Sequence, residues 1–272
     1  MSTASAHNTS TSIPYFLSEK NHRKISMVTA YDHWSASIIA TTEIDWILVG
    51  DSTAMVMHGH PSTLQADMEM MRLHVSSVAR GAPRKLIVAD MPFCSYRKGL
   101  HHAIEMAESL MRCGAHAVKL EGAAGNLDII EHLVHSGIPV MGHLGLTPQA
   151  MHTQGGFKVQ GRDQQQAQRI ENEAMSIAEA GAFSLVLECI PHTLAKRISQ
   201  QAPCLTIGIG AGPHTDGQVL VLQDLLGLNP NFTPKFLRKY LDGHTLIKNA
   251  LNAYHHSVMD ASFPLIEEHS FE

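Results

Sequence analysis

Short runs of large apolar residues alternate along the chain with stretches whose apolar positions recur every three or four residues. The runs are ISMVTAYD from residue 25, WILVGDS from 46, KLIVADM from 85, AVKLEG from 117, PVMGHLG from 139, SLVLECI from 184, CLTIGIG from 204 and GQVLVLQD from 217. Each is nearly continuous in Val, Ile, Leu, Ala or Met, as expected of strands covered on both faces. Between them, HHAIEMAESLMRCGA puts Ile104, Ala107, Leu110 and Met111 on one side of a helix that stops at Gly114. QAQRIENEAMSIAEAGA repeats the design with Ile170, Ala174, Ile177 and Ala178, and stops at Gly181. Eight strands with intervening helices predict a (β/α)₈ TIM barrel, a fold of about 250 residues. A doubly wound open sheet fits the same alternation, because periodicity does not say whether a sheet closes. No Pro-, Gly- or Ser-rich linker divides the chain. Residues 13–272 are therefore expected to form one barrel domain, preceded by a polar, disordered tail at 1–12.

Composition narrows the partners. Of the 272 residues, 44% are hydrophobic and 17% charged, enough apolar material for a full core. A formal charge of -5 argues against a basic surface for nucleic acid or membrane, leaving small molecules or further copies of the chain. Cys94, Cys113, Cys189 and Cys204 form no CxxC pair and read as reduced thiols of an intracellular protein. No apolar run reaches the ~18 residues of a membrane span, and the N-terminus lacks a secretory pattern. A cytoplasmic location is expected.

The candidate chemistry lies where the strands end. Four of the apolar runs finish on an acid: Asp51, Asp90, Glu121 and Glu188. A single acid in such a place is most often a helix N-cap or a solvated loop residue. In a barrel, however, every strand's C-terminal end faces one mouth, so these four would converge there. Their mutual repulsion would raise some of their pKa values, and a hard divalent cation such as Mg²⁺ resolves the conflict. Asp51, Asp90 and Glu121 come from consecutive strands and are the candidate metal ligands, direct or through water. Glu188 comes two strands further round, beside Cys189 and Ile190, and is a candidate general base. Lys119 alternates with Glu121 on one strand, so both face the same way, and the mouth is a better place for an ammonium than the helix layer. His143, at the end of the fifth run, is either a second donor to the site or a structural hydrogen-bonded histidine.

The motifs VTAYD, VGDS, GHPSTL, AD-x-PF, VKLEG, GHLGLTPQ, GG-x-KVQG, VLEC-x-P, TDGQ-LV and EEHSF, in this order from about residue 25 to the C-terminus, resemble the ketopantoate hydroxymethyltransferase family. GHLGLTPQ with GG-x-KVQG is the specific part; IGIGAG alone means little. The resemblance implies a barrel of the phosphoenolpyruvate/pyruvate-type superfamily, assembled as a homodecamer of two pentameric rings. It implies transfer of a hydroxymethyl group from 5,10-methylenetetrahydrofolate to 3-methyl-2-oxobutanoate (α-ketoisovalerate), giving ketopantoate and tetrahydrofolate in the pantothenate pathway. The cofactor implied is Mg²⁺, with Co²⁺ or Mn²⁺ as substitutes. Asp51, Asp90 and Glu121 match metal ligands, Ser52 and Lys119 match groups that bind the keto acid, and Glu188 matches the proton acceptor.

Two positions depart from the family, which usually has Gly where this chain has Ala54 and Ala123. If those positions need φ > 0, each Cβ carries strain of about 1 kcal/mol. The enzymatic rival is a Mg²⁺-dependent C–C or P–C lyase or mutase on the same barrel; the non-enzymatic rival is a barrel that only binds keto acid or folate. Gly208, Gly210 and Gly212 point to close backbone packing rather than a phosphate cradle. His58 with His60, His101 with His102, and His255 with His256 read as surface histidines, and the methionines of ADMEMM as core or an oligomer face.

Overall fold

The computed structural model describes residues 12–156 and 158–271. Apart from Ser12, the tail expected at 1–12 lies outside the described residues. Eight strands form a closed, all-parallel barrel, which excludes the open sheet: β1 (Ile25–Thr29), β2 (Trp46–Val49), β3 (Leu86–Asp90), β4 (Ala117–Glu121), β5 (Val140–Gly145), β6 (Ser184–Glu188), β7 (Leu205–Ile209) and β8 (Gly217–Leu220). They follow one another in chain order, and β8 closes on β1 through the pairs Ile25–Gly217 to Val28–Leu220. The eighth run is shorter than its apolar pattern suggested: it leaves the sheet at Leu220, and Leu222–Leu225 is helical. Contacts group the chain into two compact units, one ending at Leu220 and one beginning at Val221. All eight strands belong to the first. The second is helical, its main element being Gly243–Met259.

Period-two alternation sorts each strand between the barrel interior and the surrounding helices. The interior set includes Ile25 and Met27 of β1, Trp46 and Leu48 of β2, Leu86 and Val88 of β3, Met141 of β5, Leu205 and Ile207 of β7, and Val219 of β8. At the N-terminal end of the barrel the plug is aromatic. Phe16, from the short helix Ile13–Ser18, meets Trp46 edge-on at 5.1 Å, and Trp46 meets Phe183 at 5.8 Å. Continuing the same inward rows towards the C-terminal ends leads from Val88 to Asp90, from Ala117 through Lys119 to Glu121, from Met141 to His143, and from Val186 to Glu188. The barrel interior is therefore apolar at one end and ionic at the other.

The helices stop where glycine allows. Gly114 at φ +105° and Gly181 at φ +94° end Leu100–Arg112 and Gln164–Glu179 in the left-handed turn that other residues rarely adopt. The buried stripe of Leu100–Arg112 is Ala103, Ala107 and Leu110, with Ile104 and Met111 only half-buried. The face turns so that small side chains lie against the sheet. Met71 of ADMEMM is core, and Met68 and Met70 are half-buried. A Cβ on Gly208 would meet Thr215 Oγ1 at 2.7 Å, and one on Gly212 would meet His192 at 2.4 Å, as close packing requires.

One glycine bears directly on the ionic end. Gly145, the last residue of β5, has φ +93°, and a Cβ there would lie 2.1 Å from the Glu188 carbonyl oxygen and 2.7 Å from Ile190. The missing side chain lets Leu146 N–H reach the Glu188 carbonyl at 2.8 Å, closing β5 onto β6. Gly145→Ala combines left-handed strain of about 1–2 kcal/mol with overpacking of about 1–3 kcal/mol, and urea unfolding should register a loss of roughly 2–5 kcal/mol. A variant as stable as the wild type would contradict this placement.

Candidate active site

Strand register sets the neighbours at the C-terminal mouth. Asp90 pairs with Lys119, Glu121 with His143, and Gly145 with Glu188. Adjacent strands lie about 4.8 Å apart, so register partners on the inward face touch. Lys119 Nζ sits 2.8 Å from Asp90 Oδ1 and 3.9 Å from Glu121 Oε1. His143 Nδ1 lies 3.2 Å from Glu121 Oε1, and its Nε2 lies 3.2 Å from Glu188 Oε2. Asp51 belongs to the turn after β2, and its backbone N–H donates to Asp90 Oδ2 at 3.0 Å. Gly50 lets that turn fold tightly, since a Cβ there would meet Ser52 Oγ at 2.8 Å. Asp51, Asp90, Glu121, Lys119 and His143 are buried, each at 5% relative exposure or less. Glu188 keeps its side chain 18% open.

The predicted residues therefore meet, and three others join them. Gln149, in the turn after β5, donates from Nε2 to Asp51 Oδ2 at 2.9 Å and to the Met91 carbonyl at 3.0 Å, and from its backbone N–H to Glu121 Oε2 at 3.0 Å. Tyr96 OH donates to Gln149 Oε1 at 3.0 Å. Tyr31 OH and Ser52 Oγ share a hydrogen bond of 2.8 Å. Tyr31 stands two residues beyond Thr29, on the inward period of β1, and Gln149 closes the GHLGLTPQ motif. Both signals were present in the sequence as polar groups just past a strand end.

The electrostatics follow from burial. Four carboxylates, those of Asp51, Asp90, Glu121 and Glu188, face two cationic side chains, Lys119 and protonated His143. That leaves a formal deficit of two positive charges when all six are ionised. Asp51 expresses it: burial, then the charges of Asp90 and Glu121, hold its carboxyl well above the ordinary range against Lys119 and Gln149. Burial opposes the charge on Lys119, but Asp90, Glu121 and Asp51 outweigh it and raise the ammonium pKa. Burial would also raise Glu121, but the charge and hydrogen bond of His143, with Lys119, keep it below its ordinary value. His143 is discouraged from protonation by burial and by Lys119; Glu121 and Glu188 reverse the balance and raise it to about 9.

Among the described residues, no group of three or more His, Cys, Asp or Glu side chains is arranged to hold a metal ion. Glu121 is turned to His143, Lys119 and Gln149, which leaves Asp51 and Asp90 as the adjacent pair facing the charge deficit. Two buried carboxylates fit Mg²⁺, which commonly takes one or two from protein and completes its octahedron with water and substrate oxygens. His101 is 92% exposed, whereas His58 hydrogen-bonds through Nε2 to Nε2 of the buried His74 at 2.8 Å. The strain expected at Ala54 and Ala123 is absent: neither has φ > 0, Ala54 lying in the helical turn Thr53–Val56, while Gly122 at φ +82° takes the turn after β4. All four cysteines are free, and burial followed by the Glu188 charge pushes the Cys189 thiol up to about 12. No helix among the described residues is long and apolar enough to cross a membrane.

Compared with known proteins, residues 10–265 match the family described as ketopantoate hydroxymethyltransferase. A 3-methyl-2-oxobutanoate hydroxymethyltransferase of Coxiella burnetii is 55% identical over 254 residues, covering 93% of this chain and 96% of that protein. The enzyme of the same name from Bdellovibrio bacteriovorus is 56% identical over 246 residues, covering 90% and 94%. Among solved structures, a 2,3-dimethylmalate lyase of the PEP mutase/isocitrate lyase superfamily aligns with a TM-score of 0.63 at 16% identity, over 96% of this chain and 92% of its own. A phosphonopyruvate hydrolase in complex with oxalate and Mg²⁺ aligns with a TM-score of 0.61 at 10% identity, over 95% and 93%. Those two likenesses bear on the fold.

The His143 pKa carries a pH dependence for the metal-free protein. Its folded value of about 9 exceeds the ordinary 6.5, so the stabilisation is complete below pH 6.5 and is lost as pH rises through about 9. Denaturant unfolding across that window should show the loss, and His143→Gln should flatten it; equal slopes in the two proteins would refute the buried imidazolium.

Proposed function

The chain belongs to the ketopantoate hydroxymethyltransferase family, and on that premise we propose that it transfers a hydroxymethyl group from 5,10-methylenetetrahydrofolate to 3-methyl-2-oxobutanoate with Mg²⁺ as cofactor. The observation that carries this reading is the meeting of four strand-end acids around Lys119 and His143 at one barrel mouth. Asp51 and Asp90 would hold the metal, with Glu121 contributing through water. Bound there, Mg²⁺ supplies Lewis-acid polarisation of the keto acid's oxygens and acidifies the adjacent C–H.

The chain's own residues do the rest. Ser52, oriented by Tyr31, and Lys119 are the donors for the keto acid's oxygens. Glu188, the least buried of the four acids, accepts the proton from C3 of the substrate, and the electron pair of the broken C–H bond becomes the enolate. Lys119 and protonated His143 are fixed cations in a buried site, where such charges stabilise developing negative charge most strongly. The enolate carbon bonds to the methylene carbon as one of that carbon's two bonds to folate nitrogen breaks, and water then displaces the second nitrogen to leave the hydroxymethyl group. The proton held by Glu188 and the one released by water go to the two nitrogens, giving tetrahydrofolate. His143 keeps Glu188 oriented through the 3.2 Å contact, and Gln149 does the same for Asp51.

A homodecamer of two pentameric rings is part of the proposal. It is supported by the helix Gly243–Met259, whose Ile247, Leu251 and Tyr254 are more than half exposed in the single chain.

Deprotonation can be measured without the folate, as exchange of the C3 hydrogen of 3-methyl-2-oxobutanoate for deuterium. Wild type with Mg²⁺ should exchange it, and Glu188→Gln should slow exchange by about 10² or more, since general-base catalysis contributes roughly 10²–10⁴. Exchange at the wild-type rate would remove Glu188 from the reaction.

A further inference from the structure

We propose that the cavity of about 410 Å³ opening beside Glu121 seats the one-carbon carrier, a ligand with a flat fused heteroaromatic ring and an anionic tail. The assignment rests on the reaction proposed above and adds where its second substrate binds. Three observations lead to it: the cavity's connection to the acids, its size and its chemistry.

Glu121, Gly145 and Gln149 form its inner wall, so it touches the acid cluster from the side of β4 and β5. The other three described cavities touch none of Asp51, Asp90, Glu121 or Glu188. A five-carbon keto acid fills only a small part of the volume, which falls among pockets of roughly 300–1,000 Å³ that take drug-sized ligands. A large second substrate must approach the enolate carbon closely, and among the described cavities this is the one lined by a member of the acid cluster, Glu121.

The outer walls offer what such a carrier requires. Phe93, in the loop after β3, lines the cavity and is 48% exposed, an apolar side chain available for a flat ring to stack on. Arg97 is held across the opening: its guanidinium lies 5.6 Å over the Tyr96 ring, and Nη1 reaches the Ala124 carbonyl at 3.3 Å. Arg169, from the helix Gln164–Glu179, also lines the cavity as a second cation for a carboxylate tail; Glu173, 3.8 Å away and lining the same cavity, is its partner in the chain alone. A larger cavity of about 960 Å³ shares Ala123, Ala124, Arg169 and Glu173 with the first. The larger cavity is lined by the neutral polar groups Gln165, Gln168 and Asn172, suited to an extended, hydrated tail, and also by the acids Asp128 and Glu173, which leave Arg169 as its cation.

The test uses tetrahydrofolate as the probe, with equilibrium binding measured on the wild-type chain and on Phe93→Ala and Arg169→Ala, both at surface positions. Loss of the stacking ring should weaken binding roughly tenfold, and loss of the arginine severalfold. The C3 exchange of 3-methyl-2-oxobutanoate and its own affinity should stay at wild-type values in both. Tetrahydrofolate bound equally well by both variants, or not at all by the wild type, overturns the site. Failure of the underlying reaction shows differently, as absence of C3 exchange in the wild type.

Discussion

One buried ammonium organises the mouth of this barrel. Lys119 lies 2.8 Å from Asp90 and near Glu121, with Asp51 close enough to raise its pKa further. Removing either partner of a buried pair strands the other's charge in a poorly solvating interior, at a cost of several kcal/mol. The acids therefore need Lys119 and Lys119 needs the acids. His143 repeats the arrangement one strand over, cationic between Glu121 and Glu188. Even together the two cations leave the cluster short of positive charge, and that shortage is what a divalent ion would meet.

The rest of the fold holds these charges at contact distance without flooding them with water. Inward rows that begin as Leu86–Val88 or Met141 end as Asp90 or His143, so each ionic group stands on a packed apolar column. The aromatic plug of Phe16, Trp46 and Phe183 closes the opposite end. Gly145 brings β5 against the end of β6, and with it His143 against Glu188. Gln149, hydrogen-bonded to Asp51, Glu121, Tyr96 and the Met91 carbonyl, ties the turn after β5 to the ends of β3 and β4. The barrel is shared with lyases and phosphonate enzymes at 10–16% identity, whereas relatives at 55–56% identity are named hydroxymethyltransferases. The fold supplies the mouth, and the side chains at it decide the reaction.

Much of this was readable from residue order, because strand alternation is a rigid rule. Lys119 and Glu121 share a face by alternation, and the cost of burying an ammonium under a helix favours the mouth as that face. What could not be read was lateral stagger: nothing in the local pattern says that Glu121 pairs with His143 rather than with a neighbour two residues away. Glu121, which the strand-end pattern groups with the metal ligands, direct or through water, has its side chain engaged by His143 and Gln149. Tyr96 and Gln149 lie on turns, where no periodicity tells a side chain's direction, whereas Tyr31 continues the inward period of β1 two residues past Thr29. Of the helical stripes, Ile170, Ala174 and Ile177 are buried as expected and so are Ala107 and Leu110, while Ala103 is buried in place of Ile104, since helix rotation is set by packing against the sheet. Ala54 carries no strain because its backbone is helical, a conformation that the residue type alone does not reveal.

The central claim is the proposal that one divalent cation, with Asp51 and Asp90 as its ligands, would complete the acid cluster. Calorimetric titration of the chain with Mg²⁺ tests it most directly. The account predicts saturable binding of one ion per chain, lost in both Asp51→Asn and Asp90→Asn. No saturable binding by the wild type, or unchanged affinity in both variants, would contradict it.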